Sequence, residues 1–250
     1  NGRWNMKGFF VGLQFLTRLK IVNQTEWKVE DFGASVTYFP LVGLVIGAFM
    51  WALYSLANPY IPVSLLMLIL VIFEFLFTGG LHADGFMDTC DGLFSGRDRE
   101  RKLEIMKDSR VGSNGVVGFV FLTLLKWQLL VNLPSVVVPL VLVSMPILSR
   151  YTMVISIQKF PYARPEGIGK FFAANAPKYA TSVATILALL PVFFYEWFYA
   201  YLFVIALAVN LIINSYVTKH LGGTTGDTYG FVCELSEIFI ILGAIIVSVI

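Results

Sequence analysis

Residues 62–93 read PVSLLMLILVIFEFLFTGGLHADGFMDTCDGL. The first part, 62–78, is an unbroken apolar run carrying one ionisable residue, Glu74. It is long enough to cross a hydrocarbon core, which takes about 17–25 apolar residues. Two glycines later the character inverts. Asp84, Asp88 and Asp91 follow at i, i+4 and i+7, a spacing that lines them along one face of a helix. Aligned carboxylates repel unless a cation sits between them, and a divalent ion is the usual one. The polar stretch runs on to Gly115 and holds 7 of the 16 acidic residues and 6 of the 18 Lys and Arg.

The rest of the chain repeats the first half of that pattern. The sequence is 57% hydrophobic and 14% charged, with a mean hydropathy of +0.76. These values exclude an ordinary soluble domain. Spans are expected near 34–56, 62–78, 111–133, 136–157, 179–195, 197–216 and 235–250. The fold expected is all-α, a polytopic integral membrane helical bundle of about seven transmembrane helices forming one domain over 1–250. Phe9 to Leu19 is too short to span and reads as an N-terminal interfacial helix with Arg18 and Lys20 at the headgroups. It makes a poor signal peptide, lacking a small-residue cleavage site before the next apolar run.

Lysine and arginine set the orientation. Segments 1–33, 79–110, 158–178 and 217–233 hold all of them but Lys126 and Arg150. The connections near 57–61, 134–135 and 196 hold none. The positive-inside rule therefore places the N-terminus and the polar loops in the cytoplasm. Cys90 and Cys233 fall on that side, so neither a structural disulfide nor a zinc motif is expected. No basic patch interleaved with aromatics points to nucleic acid.

Polar residues within spans are costly and face the bundle interior. Glu74, Arg150, Asn210 and Asn214 all lie toward the loop-rich side, whereas Lys126 is expected to snorkel at the far interface. Glu100, Glu104 and Asp108 stand among Arg97, Arg99, Arg101 and Lys102 as in a salt-bridged helix. Lys107 and Arg110 run into Gly112-Ser113-Asn114-Gly115, a cationic turn before a helix N-terminus that suits a phosphate. A second Gly-rich motif follows at 222–237, GGTTGDTYGFVCELSE. There Gly222, Gly223 and Gly226 would let amides approach an anion, Thr225 adds a hydroxyl and Asp227 a carboxylate. It is not a Walker A loop. Arg164 in YARPEG adds one more guanidinium. His82 and His220 flank the Gly-rich motifs without an assigned role.

Clustered Asp, cationic side chains and Gly-rich loops together indicate phosphoryl or nucleotidyl transfer with Mg²⁺. Asp84 and Asp88 are the candidate catalytic residues. Asp84, Asp88, Asp91 and Asp227 are the candidate metal ligands. Lys107, Arg110, Arg150, Arg164, Gly222, Gly223 and Thr225 are the candidate substrate contacts. Asp227 is expected beside the Asp stripe, because neither motif alone supplies enough ligands.

The runs GGLHADGFMDTCDGL, LEIMKDSRVGSNG, YARPEG and GGTTGDTYGFVCELSE, with PLVGLVIG at Pro40–Gly47 and TRL at Thr17–Leu19, closely resemble cobalamin synthase, the adenosylcobinamide-GDP ribazoletransferase family. The match covers nearly the whole chain in order. The resemblance implies transfer of the adenosylcobinamide phosphate of adenosylcobinamide-GDP to α-ribazole or α-ribazole 5′-phosphate. GMP would be released and Mg²⁺ required. It also implies the cell inner membrane, lipid contact and association with other cobalamin-biosynthesis enzymes. A CDP-alcohol-type phosphotransferase of lipid synthesis is the runner-up, but in its Asp-Gly-x2-Ala-Arg pattern Asp88 stands where Ala would be. A transporter would instead gather its polar groups at the midplane, with internal repeats.

Overall fold

The computed structural model describes residues 6–21 and 29–249; Arg3, Lys28 and Ile250, used in the readings above, lie outside them. Among the described residues every regular element is helical. In order these are α1 (Met6–Leu16), α2 (Val29–Ser35), α3 (Phe39–Ala57), α4 (Val63–Phe77), α5 (Leu81–Leu93), α6 (Arg99–Ile105), α7 (Ser113–Val131), α8 (Val138–Lys159), α9 (Ile168–Asn175), α10 (Ala180–Leu189), α11 (Val192–Leu221) and α12 (Gly226–Val249).

Five helices are long and apolar enough to cross a membrane, and up to seven spans result if two bent pairs count as one span each. One pair is α4 with α5, bent by 89°; the other joins α9 to the helix that starts at Ala180, bent by 95°. The bundle is therefore the polytopic helical one expected. One boundary differs. No break occurs near 196, and α11 runs unbroken from Val192 to Leu221. The turn falls earlier, at Leu190–Pro191, because proline lacks the N–H that would continue α10 yet has a φ suited to starting a new helix.

The pattern of exposure is that of a protein in lipid. Large apolar side chains such as Trp51, Ile72, Phe121, Leu125 and Ile212 face outward, while α8 is buried almost all round. α3 reaches α8 backbone to backbone. A Cβ on Gly43 would collide with the Pro146 carbonyl, and one on Gly47 would lie 2.8 Å from the Val143 Cα. Small residues one turn apart permit such an approach. Gly43→Leu is expected to lower the melting temperature in detergent, at a cost of about 1–3 kcal/mol from overpacking. Leu44→Ala, on the lipid side, is the control that should leave it in place.

Asparagines join α8 to α11. Asn210 Nδ2 donates to the Thr152 carbonyl at 2.8 Å, and Asn214 Nδ2 donates to Ser156 Oγ at 2.9 Å. The polar loops gather at one end of the bundle. Thr224 N–H donates to the Pro161 carbonyl and Ala163 N–H to the Thr224 carbonyl, at 2.7 and 2.8 Å. Arg99 Nε donates to the Leu221 carbonyl at 2.8 Å. Segments far apart in sequence thus form one surface.

Candidate active site

Gly79 and Gly80 turn α4 into α5 with φ of +67° and +73°. Two successive left-handed residues would strain any side-chain-bearing pair. The turn sends α5 across the end of the bundle rather than through it, with Asp84 exposed, Asp88 half-buried and Asp91 buried. Asp91 is committed elsewhere. Its carboxylate accepts from the N–H groups of Gly112 and Gly115, at 2.7 and 2.8 Å. It therefore anchors the N-terminus of α7. Those amides, expected to meet a phosphate, are taken by an anion of the protein itself, and Asp91 is an anchor rather than an open metal ligand. The glycines there are explained by the same contact, since a Cβ on either would run into the Asp91 carboxylate. Asp91→Ala is expected to lose both activity and thermal stability, because it leaves buried amides unpaired at about 1–3 kcal/mol. A variant with unchanged melting would remove that role.

Asp227 stands in the first turn of α12. A Cβ on Gly85 would lie 2.7 Å from the Asp227 carbonyl oxygen, and one on Gly230 would lie 2.7 Å from the His82 carbonyl oxygen. α5 and α12 therefore cross in near backbone contact, which brings the Asp84/Asp88 face beside Asp227. Arg164 Nη2 pairs with Asp227 Oδ2 at 2.8 Å. The Asp stripe, the Gly-rich loop and YARPEG thus meet at one site, as expected for Asp84, Asp88, Asp227 and Arg164.

Partial burial, then the charges of Asp84, Asp227 and Asp91, push the Asp88 carboxyl up to about 7. The folded protein consequently holds this proton more tightly than the unfolded chain does. That contribution to stability is complete below the ordinary Asp value of 3.8 and is lost as pH rises through about 7. In EDTA, the melting temperature should decline across that window, and Asp88→Asn should flatten the decline. An equal slope in both proteins would show that Asp88 is not its source. Among the described residues no three Asp, Glu, His or Cys side chains converge into a metal cage.

The loop 222–226 is spent on holding the site together. The N–H groups of Gly222 and Thr224 donate to the Thr218 and Pro161 carbonyls, both within 2.8 Å. Thr225 and Thr228 cap each other reciprocally: Thr225 N–H donates to Thr228 Oγ1 at 2.8 Å, and Thr228 N–H to Thr225 Oγ1 at 3.2 Å. Gly222, at φ +75°, also leaves room for the Arg99 guanidinium. The Gly222 amide, expected to approach an anion, and the Thr225 hydroxyl are therefore engaged within the protein. Gly223 serves the bridge to 161–163, where a Cβ would strike the Pro161 carbonyl.

Asp84 lies between two hollows. On one side is a cavity of about 170 Å³, walled by α1, α3, α5, α8, α9 and α12 and reaching His82, Asp84 and Asp227. On the other is an open groove of about 520 Å³, lined by Thr17, Arg18, Gly79, Gly80, Asp84 and Met87 among others. Arg18 Nη2 donates to the Gly79 carbonyl at 3.2 Å. Arg18, read from the sequence as a headgroup cation, instead stands with Asp84 in the groove; its place in the TRL run was the available signal. Lys107 lies beside Arg164 in a shallow surface hollow with Glu100 and Pro165. Arg110 is exposed and forks onto Asp108, with Nη2–Oδ2 at 2.7 Å.

Beneath the site lies a charged cluster that overturns two expectations. Lys126 does not snorkel. It is fully buried and pairs with Glu74 and Glu234 at 3.0 Å each and with Glu237. Arg150 is not open to a diphosphate. It is 1% exposed and held by Glu74 at 3.1 Å, by Glu237 and by Ser149. Both carboxylates meet Nη1, and burial of the whole guanidinium keeps it from an incoming diphosphate. Its Nη2 reaches His82 Nδ1 at 3.4 Å. In isolation each of these charged residues is unreadable, because the ion-pair partners stand at least 52 positions apart in sequence.

Residues 8–245 match the family described as cobalamin-5-phosphate synthase. The chain is 38% identical to an adenosylcobinamide-GDP ribazoletransferase of Desulfitobacterium hafniense, covering 96% of this chain and 97% of the relative. It is 36% identical to the protein of that name from Alkaliphilus metalliredigens, over 93% and 92%. With that from Thermoanaerobacter pseudethanolicus it shares 34%, over 97% and 98%. No solved structure matches.

Proposed function

The chain belongs to the cobalamin-5-phosphate synthase family, and on that premise we propose that it is a membrane-embedded adenosylcobinamide-GDP ribazoletransferase. It moves the adenosylcobinamide phosphate group from adenosylcobinamide-GDP to α-ribazole or its 5′-phosphate. A hydroxyl oxygen of the acceptor ribose bonds to the cobinamide-bearing phosphorus as the diphosphate P–O bond breaks, and GMP leaves with that electron pair. The hydroxyl proton passes to a carboxylate, with Asp84 and Asp88 as the candidate acceptors. The observation that carries this reading is the convergence of Asp84, Asp88, Asp227 and Arg164 between a partly enclosed, largely apolar cavity and an open groove.

The donor set suits Mg²⁺, which commonly takes one or two carboxylates and fills its octahedron with substrate phosphate and water. One or two of Asp84, Asp88 and Asp227 would hold it; when bound it would neutralise charge developing on the diphosphate. Arg18, with Lys107 and Arg110 at the margin, supplies cations for the donor. The distribution of Lys and Arg favours a cytoplasmic-facing site in the inner membrane. There the product could pass to neighbouring enzymes of the same synthesis.

The test uses purified protein in detergent with adenosylcobinamide-GDP and α-ribazole 5′-phosphate. GMP and a cobalamin product should appear in equal amounts, and EDTA should stop both. GMP release without a cobalamin product would indicate a hydrolase, and turnover in EDTA would remove the metal.

A further inference from the structure

We propose that the Arg164 guanidinium and a divalent cation compete for the same oxygen of Asp227, so that metal binding turns Arg164 from Asp227 toward a phosphate of the nucleotide donor. This makes Asp227 one of the ion's ligands. The donor's part rests on the ribazoletransferase reading; the competition at Asp227 needs no substrate.

The Arg164 side chain is 10% exposed, and its Nη2 stands 2.8 Å from Asp227 Oδ2. Thr225 Oγ1 donates to the same oxygen at 3.3 Å. The arginine contact is one of charge more than of alignment. Arg164 Nε and Nη2 are both enclosed, and neither makes a well-angled hydrogen bond among the described residues. A guanidinium carries five N–H donors, and enclosed donors without acceptors are costly. Arg164 is therefore held at Asp227 chiefly by charge, and another charge can replace it.

A divalent ion ligated by Asp227 brings two positive charges to the atom that Arg164 faces. Like charges at that range repel strongly in partly desolvated surroundings. The neighbouring aspartates favour the ion. Among the described residues the one ion pair of Arg164 is with Asp227, although its charge also opposes the repulsion of the other aspartates at Asp88. A doubly charged ion offsets that repulsion more fully than a single guanidinium does.

The backbone on either side of Arg164 is pinned. Ala163 N–H donates to the Thr224 carbonyl at 2.8 Å, and a Cβ on Gly169 would lie 2.8 Å from Gly226 N. The side chain is the part that can turn. A surface hollow of about 220 Å³ borders it, lined also by Lys107 and Pro165. The carboxylates of that hollow, Glu100 and Glu104, already pair with Arg99 and Arg101 at 3.2 and 2.7 Å. A released guanidinium thus has its best partner in a phosphate that arrives between the aspartates and Lys107. Its planar fork suits two phosphate oxygens. Metal and donor then assist each other's binding, because the first frees the side chain that the second uses.

Two measurements on the full protein in detergent, without substrate, test the competition. Mg²⁺ should raise severalfold the rate at which phenylglyoxal modifies Arg164, read on its peptide by mass spectrometry. Asp227→Asn should make that rate high with or without Mg²⁺. Mn²⁺ binding, followed by electron paramagnetic resonance, should tighten about fivefold or more in Arg164→Gln, whereas Arg164→Lys, which keeps the charge, should stay near the unaltered protein. Equal or weaker Mn²⁺ binding in monodisperse Arg164→Gln would overturn the proposal. So would an Arg164 reactivity that Mg²⁺ leaves unchanged, a result that needs no variant. With Mg²⁺ present, adenosylcobinamide-GDP should protect Arg164 again; protection by α-ribazole 5′-phosphate instead would overturn the donor half. Exchange at Asp227 without transfer between the two substrates would sink the ribazoletransferase and leave the competition standing. Transfer without exchange would do the reverse.

Discussion

Alanine at Asp84 or Asp88 is expected to lower kcat by about 10³-fold or more, the scale of losing a group that stabilises developing charge. Yield and melting temperature should stay near those of the unaltered protein. Both carboxylates are at least partly solvated, so no packed contact is lost. Removing one of several mutually repelling charges, moreover, relieves the crowding that raises Asp88. Asn at the same positions keeps the shape and discards the charge, and should be nearly as damaging if electrostatics is the reason. GMP release measured across a Mg²⁺ titration separates two sources of loss: a weakened ion site recovers in part at high Mg²⁺, whereas a lost proton acceptor does not. Near-normal turnover in both alanine variants would reduce the stripe to a solvated helix face.

Lys126→Met is expected to have the largest effect on folding. Lys126 is the shared partner of Glu74, Glu234 and Glu237, all buried. Removing one member of a buried ion pair costs about 3–5 kcal/mol, because the remaining charges stay in low dielectric. Total stability is commonly about 5–15 kcal/mol, so the variant should melt far earlier in detergent or aggregate on extraction. Adding Glu234→Gln should recover part of the loss, since one uncompensated carboxylate is then gone. Arg150→Lys tests the same cluster more finely. An ammonium cannot span Glu74, Glu237 and His82 at once, so this variant too should melt earlier than the unaltered protein although it keeps the charge. A Lys126→Met protein with unaltered melting would show that the cluster exchanges charge without structural cost.

The Asp stripe was legible because its three members share one short helix, where spacing alone decides the face. The same logic could not separate Asp91 from Asp84. Both are carboxylates on one stripe, and only the packing of α7 against α5 shows that Asp91 binds the amides of Gly112 and Gly115. Glycines misled in a comparable way. In 222–226 they signal close backbone approach, and the approach is to Pro161 and Arg99 rather than to an anion. The break expected near 196 falls instead at Leu190–Pro191, where proline interrupts the helix.

The sequence by itself determined the membrane setting, the helical class, the alternation of charged loops with uncharged ones and the phosphoryl-transfer character of the motifs. Each follows from local composition and periodicity, which act over one or two turns and are written in consecutive residues. Only the tertiary structure decided that Arg150 and Lys126 lie in a buried cluster, that His82 Nδ1 faces the Arg150 guanidinium, and that Arg18 joins Asp84 in the open groove. Those facts depend on which helices touch. Charges within a low-dielectric interior take whichever partner the packing brings within reach, and sequence separation carries no record of that distance.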